Sequence, residues 1–544
     1  MSLGTFFLRR AARLPKRLFR ARRHPNFMIP MRDGVQLETV LFIPRVEGRF
    51  PTILMRVPYG LGGFATAAEA YAERGYIAVV QACRGTGKSE GAFDPLSNER
   101  NDGLDTLDWI KAQPWFDGRL GTTGPSYLGY AQWAICDALP AASAMAIKVS
   151  SAEFRAIVFA GGGFHLHLWL SWIQVIEGIR TNAFRFARSI GNGRIERQTL
   201  AASMVLPLTN ADRRATGHDV PFWKDWLTHS IGNDTFWHDL DHTHRIGART
   251  PPTSFVSGWY DFMLDQLLRD YEALTDAGRP TRLTVGPWWH VSPELQYEGV
   301  RDTLAWMNAE LKADRSGLRD KPVRLFLSGR EEWRNFDAYP PGAPESQVWH
   351  LHPDQVLSQR PVKASPPDTY RYDPADPTPS IGGGMFAFTG AGPVDQAPLE
   401  TRSDVLVFTS EPLFADTTII GNVRAIIYAR ASIPEADLFV RLSDVDPTGK
   451  SINICDGYLR KTAADPATPD NVWKLSLRLN ATAHCFRRDH RLRLVVASGA
   501  HPRFARNTGT SEPFGTATKL VPMDMEIFHD PDRPSAIHLP VYEL

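Results

Sequence analysis

Cysteine is scarce in this 544-residue chain: four residues, Cys83, Cys136, Cys455 and Cys485, widely scattered and without a C-x-x-C pair. Such usage suits a reducing compartment, with at most one or two bridges. Long apolar runs are missing too. None approaches the ~20 residues that cross a bilayer. Net charge is nearly absent, at +1, which removes any global reason to expect nucleic acid or an acidic partner. No internal repeat and no low-complexity tract is found. What remains is ordinary globular composition, 43% apolar and 22% charged, over a length that suggests roughly three domains. A cytoplasmic location is the expectation.

Acids are missing altogether from the first 24 residues. Arg9, Arg10, Arg13, Lys16, Arg17, Arg20, Arg22 and Arg23 alternate there with Phe6, Phe7, Leu8, Leu14, Leu18 and Phe19. The arginines interrupt the apolar stretch a secretory signal would need. Two readings stand: a poorly ordered basic arm over 1–25, or an amphipathic helix making weak contact with an anionic membrane surface.

Beyond it, strand-like and helix-like segments alternate. Strands are expected at Gln36 to Ile43, Thr52 to Val57, Tyr76 to Val80, Arg119 to Thr123 and Met145 to Val149. Helices are expected at Ala65 to Glu73, Asp102 to Gln113 and Tyr127 to Ala138. That order predicts an α/β domain with a mostly parallel sheet covered on both faces. Residues 26–154 form its first part. Residues 155–245, rich in tryptophan and arginine, read as a helical insertion. Residues 246–338 resume the domain with strands at Thr253 to Val256, Arg282 to Val285 and Val323 to Leu327, and helices at Phe262 to Ala277 and Thr303 to Lys312. Residues 339–544 hold short alternating runs between Pro- and Gly-rich turns, which predicts a β-sandwich or jelly roll.

A serine at the strand-to-helix turn Gly124-Pro125-Ser126-Tyr127-Leu128-Gly129 would project its hydroxyl above the sheet, with the Tyr127 amide facing a developing oxyanion. The alternative is a serine capping an ordinary helix. Gly87-Lys88-Ser89-Glu90-Gly91 matches G-x-S-x-G more literally, and Ala82 to Ser89 nearly matches a phosphate loop. Neither is followed by a helix, so a connecting loop is the better reading. In this fold class an acid and a histidine should follow the serine at successive strand ends. Asp261 and His290 occupy those places, His290 through a Gly286-Pro287 loop. Asp265 is the rival acid. His165 and His167, or His238, His242 and His244, could be read as metal ligands, but no ligand pattern surrounds them.

These residues resemble the cocaine esterase / α-amino-acid ester hydrolase / X-Pro dipeptidyl-peptidase group of serine hydrolases (CocE/NonD). The resemblance rests on Met31-Arg32-Asp33-Gly34-Val35, Pro58-Tyr59, Arg84-Gly85-Thr86-Gly87, Gln113-Pro114-Trp115, Gly124-x-Ser126-Tyr127-Leu128-Gly129, Gly258-x-x-Asp261, Gly286-Pro287-Trp288-x-His290, Tyr372-Asp373-Pro374-Ala375-Asp376-Pro377 and Asp456-Gly457. It implies an α/β-hydrolase fold with an inserted helical cap and a C-terminal jelly roll. It also implies a Ser126–His290–Asp261 triad, with the Tyr59 phenol joining the Tyr127 amide in the oxyanion hole. Phe262, Met263 and Leu264 follow Asp261 where an acidic cluster would suit an α-amino substrate. An apolar pocket walled by Phe262, Met263 and the aromatics Trp169 and Trp172 is therefore expected, for bulky or aromatic acyl esters of small-molecule substrates. X-Pro dipeptidyl-peptidase or amide acylase activity is the runner-up, and a non-catalytic binding protein the reading from another class. No metal or organic cofactor is implied.

Overall fold

The computed structural model describes residues 2–230, 235–462, 466–467 and 470–543; within helix 166–191 the side chains of 181–190 are outside that description, as are residues 231–234 of the tryptophan-rich insertion. The basic N-terminal segment is not a free arm. Helix α1 (Leu3–Ala11) is capped by Ser2, whose Oγ accepts from Thr5 N at 3.2 Å and donates to Glu69 at 2.7 Å. The next residues stay attached: the Arg74 guanidinium donates to Pro15 O at 2.6 Å and Leu18 N to Glu73 O at 2.9 Å. Strand β1 (Ala21–Arg23) then pairs antiparallel with residues 42–44. Burial of Ala12 and Leu14 against the neighbouring helix and sheet supplies the apolar contact that a sequence count of arginines hides. The outer side of α1 leaves Leu3 and Phe7 74% and 59% exposed.

An eleven-stranded sheet follows, built from β1, β2 (Phe27–Pro30), β3 (Gln36–Pro44), β4 (Phe50–Val57), β5 (Ile77–Ala82), β6 (Phe116–Pro125), β7 (Ser143–Lys148), β8 (Thr253–Tyr260), β9 (Thr281–Trp289), β10 (Val323–Leu327) and β11 (Glu332–Phe336). The order is β1-β3-β5-β4-β6-β7-β8-β9-β10-β11, with β2 on β3. Pairs from β5 through β10 are parallel and those at the two ends antiparallel. Alternate residues of one strand enter different cores. Ile53, Met55, Ala78, Val80, Ala144 and Ala146 pack under helices α2 (Ala65–Ala72) and α7 (Pro293–Lys312), whereas Leu54, Ile77 and Val79 meet α3 (Glu99–Lys111), and Met145 and Ile147 meet α6 (Leu264–Asp276). Both faces are covered, as near-continuous apolar parallel strands require.

Several boundaries differ from the sequence expectation, three of them instructively. Helix α4 (Tyr127–Trp133) is shorter than the segment to Ala138, which finishes as a 3-10 turn. Helix α7 begins ten residues early, at Pro293, because Pro at its first turn is compatible with helix. Strand β9 runs straight through Gly286-Pro287, where a loop was expected. The register skips from Gly258↔Gly286 to Tyr260↔Trp289, and a proline is tolerated at such a bulge because no ladder bond is lost there.

Between β7 and β8 the chain forms helices, chiefly α5 (Leu166–Gly191), with a two-residue ribbon at 159–160 and 163–164. From residue 345 a twelve-stranded, almost wholly antiparallel sheet closes on its own core of Val423, Ile427, Leu442, Leu477, Val496 and Ile537 among others. The two parts are stitched by backbone: Ser328 N donates to Ala483 O at 3.0 Å and Cys485 N to Ser328 O at 2.8 Å. Asp265 on α6 adds Asn480 and the Ala481 amide at 2.8 and 3.0 Å. Among the described residues, no helix is long and apolar enough to cross a membrane.

Inside the β-rich part, buried Asp456 accepts from Arg441 Nη2 at 2.7 Å and Arg503 Nη1 at 2.5 Å, and the two guanidinium groups hold its carboxyl below the usual range despite burial. Arg441 Nη1 also donates to Ile381 O at 2.5 Å and Gln396 at 2.6 Å, fixing both ends of the 381–396 loop. Removing one partner of a buried pair leaves an uncompensated charge, so Asp456→Asn should lower unfolding free energy by about 3–5 kcal/mol. Urea denaturation checks this, and a loss below about 1 kcal/mol would contradict the assigned role.

Candidate active site

Parallel strands deliver their C-terminal ends to one edge, and three of these ends carry the polar residues that meet there. Ser126 follows β6, Asp261 follows β8 and His290 follows β9. Register explains the meeting: Pro125 lies opposite Lys148 on β7, Lys148 opposite Val256 on β8, and Tyr260 opposite Trp289. His290 Nε2 stands 3.0 Å from Ser126 Oγ and His290 Nδ1 2.7 Å from Asp261 Oδ2. Asp261 Oδ1 accepts from Met263 N at 2.7 Å, which orients the carboxylate from behind. Histidine and aspartate are both buried. A hydroxyl, an imidazole and a carboxylate in this order can pass a proton from the first to the second while the third stabilises the imidazolium.

Ser126 adopts φ 59° and ψ −126°, a conformation L-residues rarely hold. Its amide donates to Lys148 O at 2.9 Å, and its side chain makes no capping bond to α4, which leaves Oγ for the imidazole. The flanking glycines have separate reasons. Gly124 has φ 150° and a Cβ there would fall 2.4 Å from Leu128 Cβ; at Gly129 it would fall 2.4 Å from Ser150 Cβ. The Tyr127 N–H, first in α4, makes no hydrogen bond to a described residue. Its phenol is elsewhere, donating to Glu99 at 2.9 Å and accepting from Leu96 N at 2.8 Å. The half-buried Tyr59 hydroxyl accepts from Trp172 Nε1 at 3.1 Å and faces Ser126. Burial pushes its pKa up to about 12 against the lowering influence of Trp172 and Ser126, so the phenol keeps its proton in the neutral range.

A cavity of about 460 Å³ opens at Ser126. Its walls are Met55, Phe64, Ala67, Val175, Ile179 and Val300, with Leu8 of α1 at one side and Phe386 and Phe388 at another. None of Trp169, Trp172, Phe262 or Met263 lines it, so the expected pocket residues are corrected. Trp169 is consumed by the aromatic core of the insertion, 4.7 Å from Trp226 and 5.6 Å from Trp172. Trp172 spends its indole N–H on Tyr59, and the next turns of α5 present Val175 and Ile179 instead. Phe262 lies flat on His290 at 4.4 Å and supports it from outside the cavity; Met263 is buried nearby. Phe386, 5.7 Å from the imidazole, comes from the 381–396 loop of the β-rich part. No local sequence signal marks it.

Two family profiles match the chain: X-Pro dipeptidyl-peptidase (S15 family) over residues 33–292, and the X-Pro dipeptidyl-peptidase C-terminal non-catalytic domain over 317–538. Cocaine esterase from Rhodococcus sp. (strain MB1 Bresler) is 30% identical, the alignment covering 95% of this chain and 98% of that one. The chain belongs to the CocE/NonD family of hydrolases. It is a serine hydrolase of a family that acts on esters or X-Pro peptides. Among solved structures, an α-amino acid ester hydrolase superposes with TM-score 0.81 at 22% identity, and an aminopeptidase from a marine-sediment Thaumarchaeota archaeon with 0.79 at 23%. Each alignment covers 97% of this chain and 98% of its partner, and each likeness is one of fold.

The other candidates of this CocE/NonD hydrolase are occupied elsewhere. Ser89 Oγ donates to Ala82 O at 2.9 Å and accepts from Glu38 N at 2.8 Å, so it ties a loop to β3. His165 bonds Ile157 O at 2.8 Å, His167 reaches Glu196 at 3.1 Å, and burial lowers the pKa of His165 and His242 to about 3. Gly129→Ala should cost about 1–3 kcal/mol of stability through overpacking on Ser150, and Gly129→Ala/Ser150→Gly should regain most of it. Thermal melts of both decide; a fully stable single variant would contradict the close packing.

Proposed function

We propose that this chain hydrolyses carboxylic esters through Ser126, His290 and Asp261, on an α/β-hydrolase domain with residues 155–245 as cap and the C-terminal part as jelly roll. Ser126 Oγ attacks the acyl carbonyl while His290 Nε2 takes its proton. The negative oxygen falls between the free Tyr127 N–H and the protonated Tyr59 hydroxyl. Collapse expels the alcohol with the proton from His290, and a water then releases the acyl group by the same relay. The observation that carries this reading is the unbroken pair of contacts at 3.0 and 2.7 Å running from a strained serine to a buried carboxylate. A small-molecule ester with a bulky apolar portion suits the cavity.

Aminopeptidase action of the X-Pro type is the second reading, favoured by the S15 profile over residues 33–292. An ammonium group at the site would need a carboxylate partner. Among the described residues no aspartate or glutamate lines the cavity, and Lys148 is the one Lys, Arg, Asp or Glu residue that does. That is why the ester reading is preferred. A non-catalytic scaffold is tested by fluorophosphonate labelling, which should modify wild type at Ser126 and leave Ser126→Ala unlabelled.

p-Nitrophenyl acyl esters should be cleaved faster than Gly-Pro p-nitroanilide, and the reverse preference, abolished by N-acetylation, would overturn the choice. Tyr59→Phe should lower kcat by roughly 10²–10³ while leaving the melting temperature close to wild type, since one oxyanion donor is removed. Near-normal turnover in that variant would rule out the phenol.

A further inference from the structure

The cavity at Ser126 holds a charge that the ester reading alone does not use. Lys148 ends β7 and is only 5% exposed, yet it lines the cavity, and its side chain makes no hydrogen bond or ion pair with a described residue. Its backbone is engaged, since Lys148 O accepts from Ser126 N at 2.9 Å, so the residue is anchored beside the serine turn. The even-numbered residues of β7 face α2 and α7, and the lysine stem follows them. A Cβ added at Gly299 of α7 would lie 2.5 Å from Lys148 Cδ. The methylenes thus run along α7 at Gly299, between Gln296 and Val300, which line the cavity as Lys148 does.

Apart from the catalytic imidazole, the other described lining residues are apolar or neutral, Thr123, Gln296 and Tyr297 among the polar ones. The opposing charge that acts on Lys148, Asp302 on α7, does not line the cavity and spends Oδ2 on Ser254 Oγ at 2.7 Å. Burial pushes the amine's pKa down to about 8, with Asp302 acting the other way, so the group remains largely cationic at neutral pH. A buried cation without a bonded partner is expensive for the fold. It is the expected condition of a group whose counter-ion arrives with a ligand.

Building on the ester reading above, we propose that the substrate carries a carboxylate at the end of the apolar portion filling this cavity, and that Lys148 pairs with it. The site would then select half-esters of dicarboxylic acids, or esters of hydroxy acids, over neutral esters of equal length. A cavity of about 460 Å³ has room for such a chain between the serine and the amine.

The test compares wild type with Lys148→Met, which keeps the stem and removes the charge, and with Lys148→Gln should the first fail to fold. Mono-p-nitrophenyl adipate against p-nitrophenyl hexanoate probes a carboxylate on the acyl side. 6-Acetoxyhexanoate against hexyl acetate probes the alcohol side. In one of these pairs the kcat/KM ratio of charged to neutral ester should fall by roughly 10- to 100-fold in the variant, the size expected of one charged hydrogen bond. The pair that responds tells which half of the ester occupies the cavity. Ratios unchanged within about twofold in both pairs overturn the proposal. Stabilisation of the protein by free adipate in a thermal melt reads the same contact without turnover: it should be present in wild type and lost in the variant, and equal shifts or none in both overturn the proposal. Failure of the ester reading would show separately, as absent fluorophosphonate labelling of Ser126 in wild type.

Discussion

One residue is held where the backbone resists being, and much of the molecule is arranged to keep it there. Ser126 sits at φ 59° between a strand that ends in Gly124-Pro125 and a helix that starts at once with Tyr127. A positive φ at a residue with a side chain persists only when its surroundings over-determine it. Here they do so in three ways: the hydrogen bond from its N–H to Lys148 O, the close approach of Gly124 to Leu128, and that of Gly129 to Ser150. The consequence is a hydroxyl lifted off the helix end and toward His290, with the first helical amide beside it unpartnered.

The imidazole is shared property of two distant parts of the chain. Its carboxylate partner and the ring of Phe262 come from the end of β8, whereas Phe386 arrives from a loop more than a hundred residues later. That loop is positioned by Arg441, which spans from Asp456 to Ile381 and Gln396. A buried ion pair adds little net stability over an apolar equivalent, but it does fix a single arrangement once formed. Asp265 and the Ser328–Ala483 backbone bonds hold the two parts in register. The β-rich part therefore contributes a wall to the site although none of its residues stands in the Ser–His–Asp line.

Several features were legible because local rules carry them. Alternating apolar segments announced a parallel sheet, and strand ends announced where Ser126, Asp261 and His290 would stand, since a parallel sheet places all its C-terminal ends on one edge. The near miss at His290 is instructive: Gly-Pro reads as a loop locally, yet at a bulge it passes within a strand. The pocket was legible only in character. Tryptophan suggested walls, but large aromatics are drawn first into cores, and Trp169 and Trp172 went there, leaving Val175 and Ile179 to line the space. The arginine-rich start concealed a folded segment because the groups that hold it, buried Ala12 and Leu14, backbone bonds to Glu73 O and the Arg74 guanidinium on Pro15 O, are few and unremarkable in composition.

By itself the sequence determined the order of strands and helices, the identity of the residues at three strand ends, and the family to which they belong. Periodicity, turn chemistry and motif spacing are short-range properties, and they survive being read in one dimension. Tertiary structure alone decided which aromatic rings face the imidazole, that α1 closes one side of the cavity, and that Lys148 stands there with no hydrogen-bonded partner among the described residues. Those outcomes depend on which side chains, far apart in the chain, compete for the same buried volume and the same counter-charge.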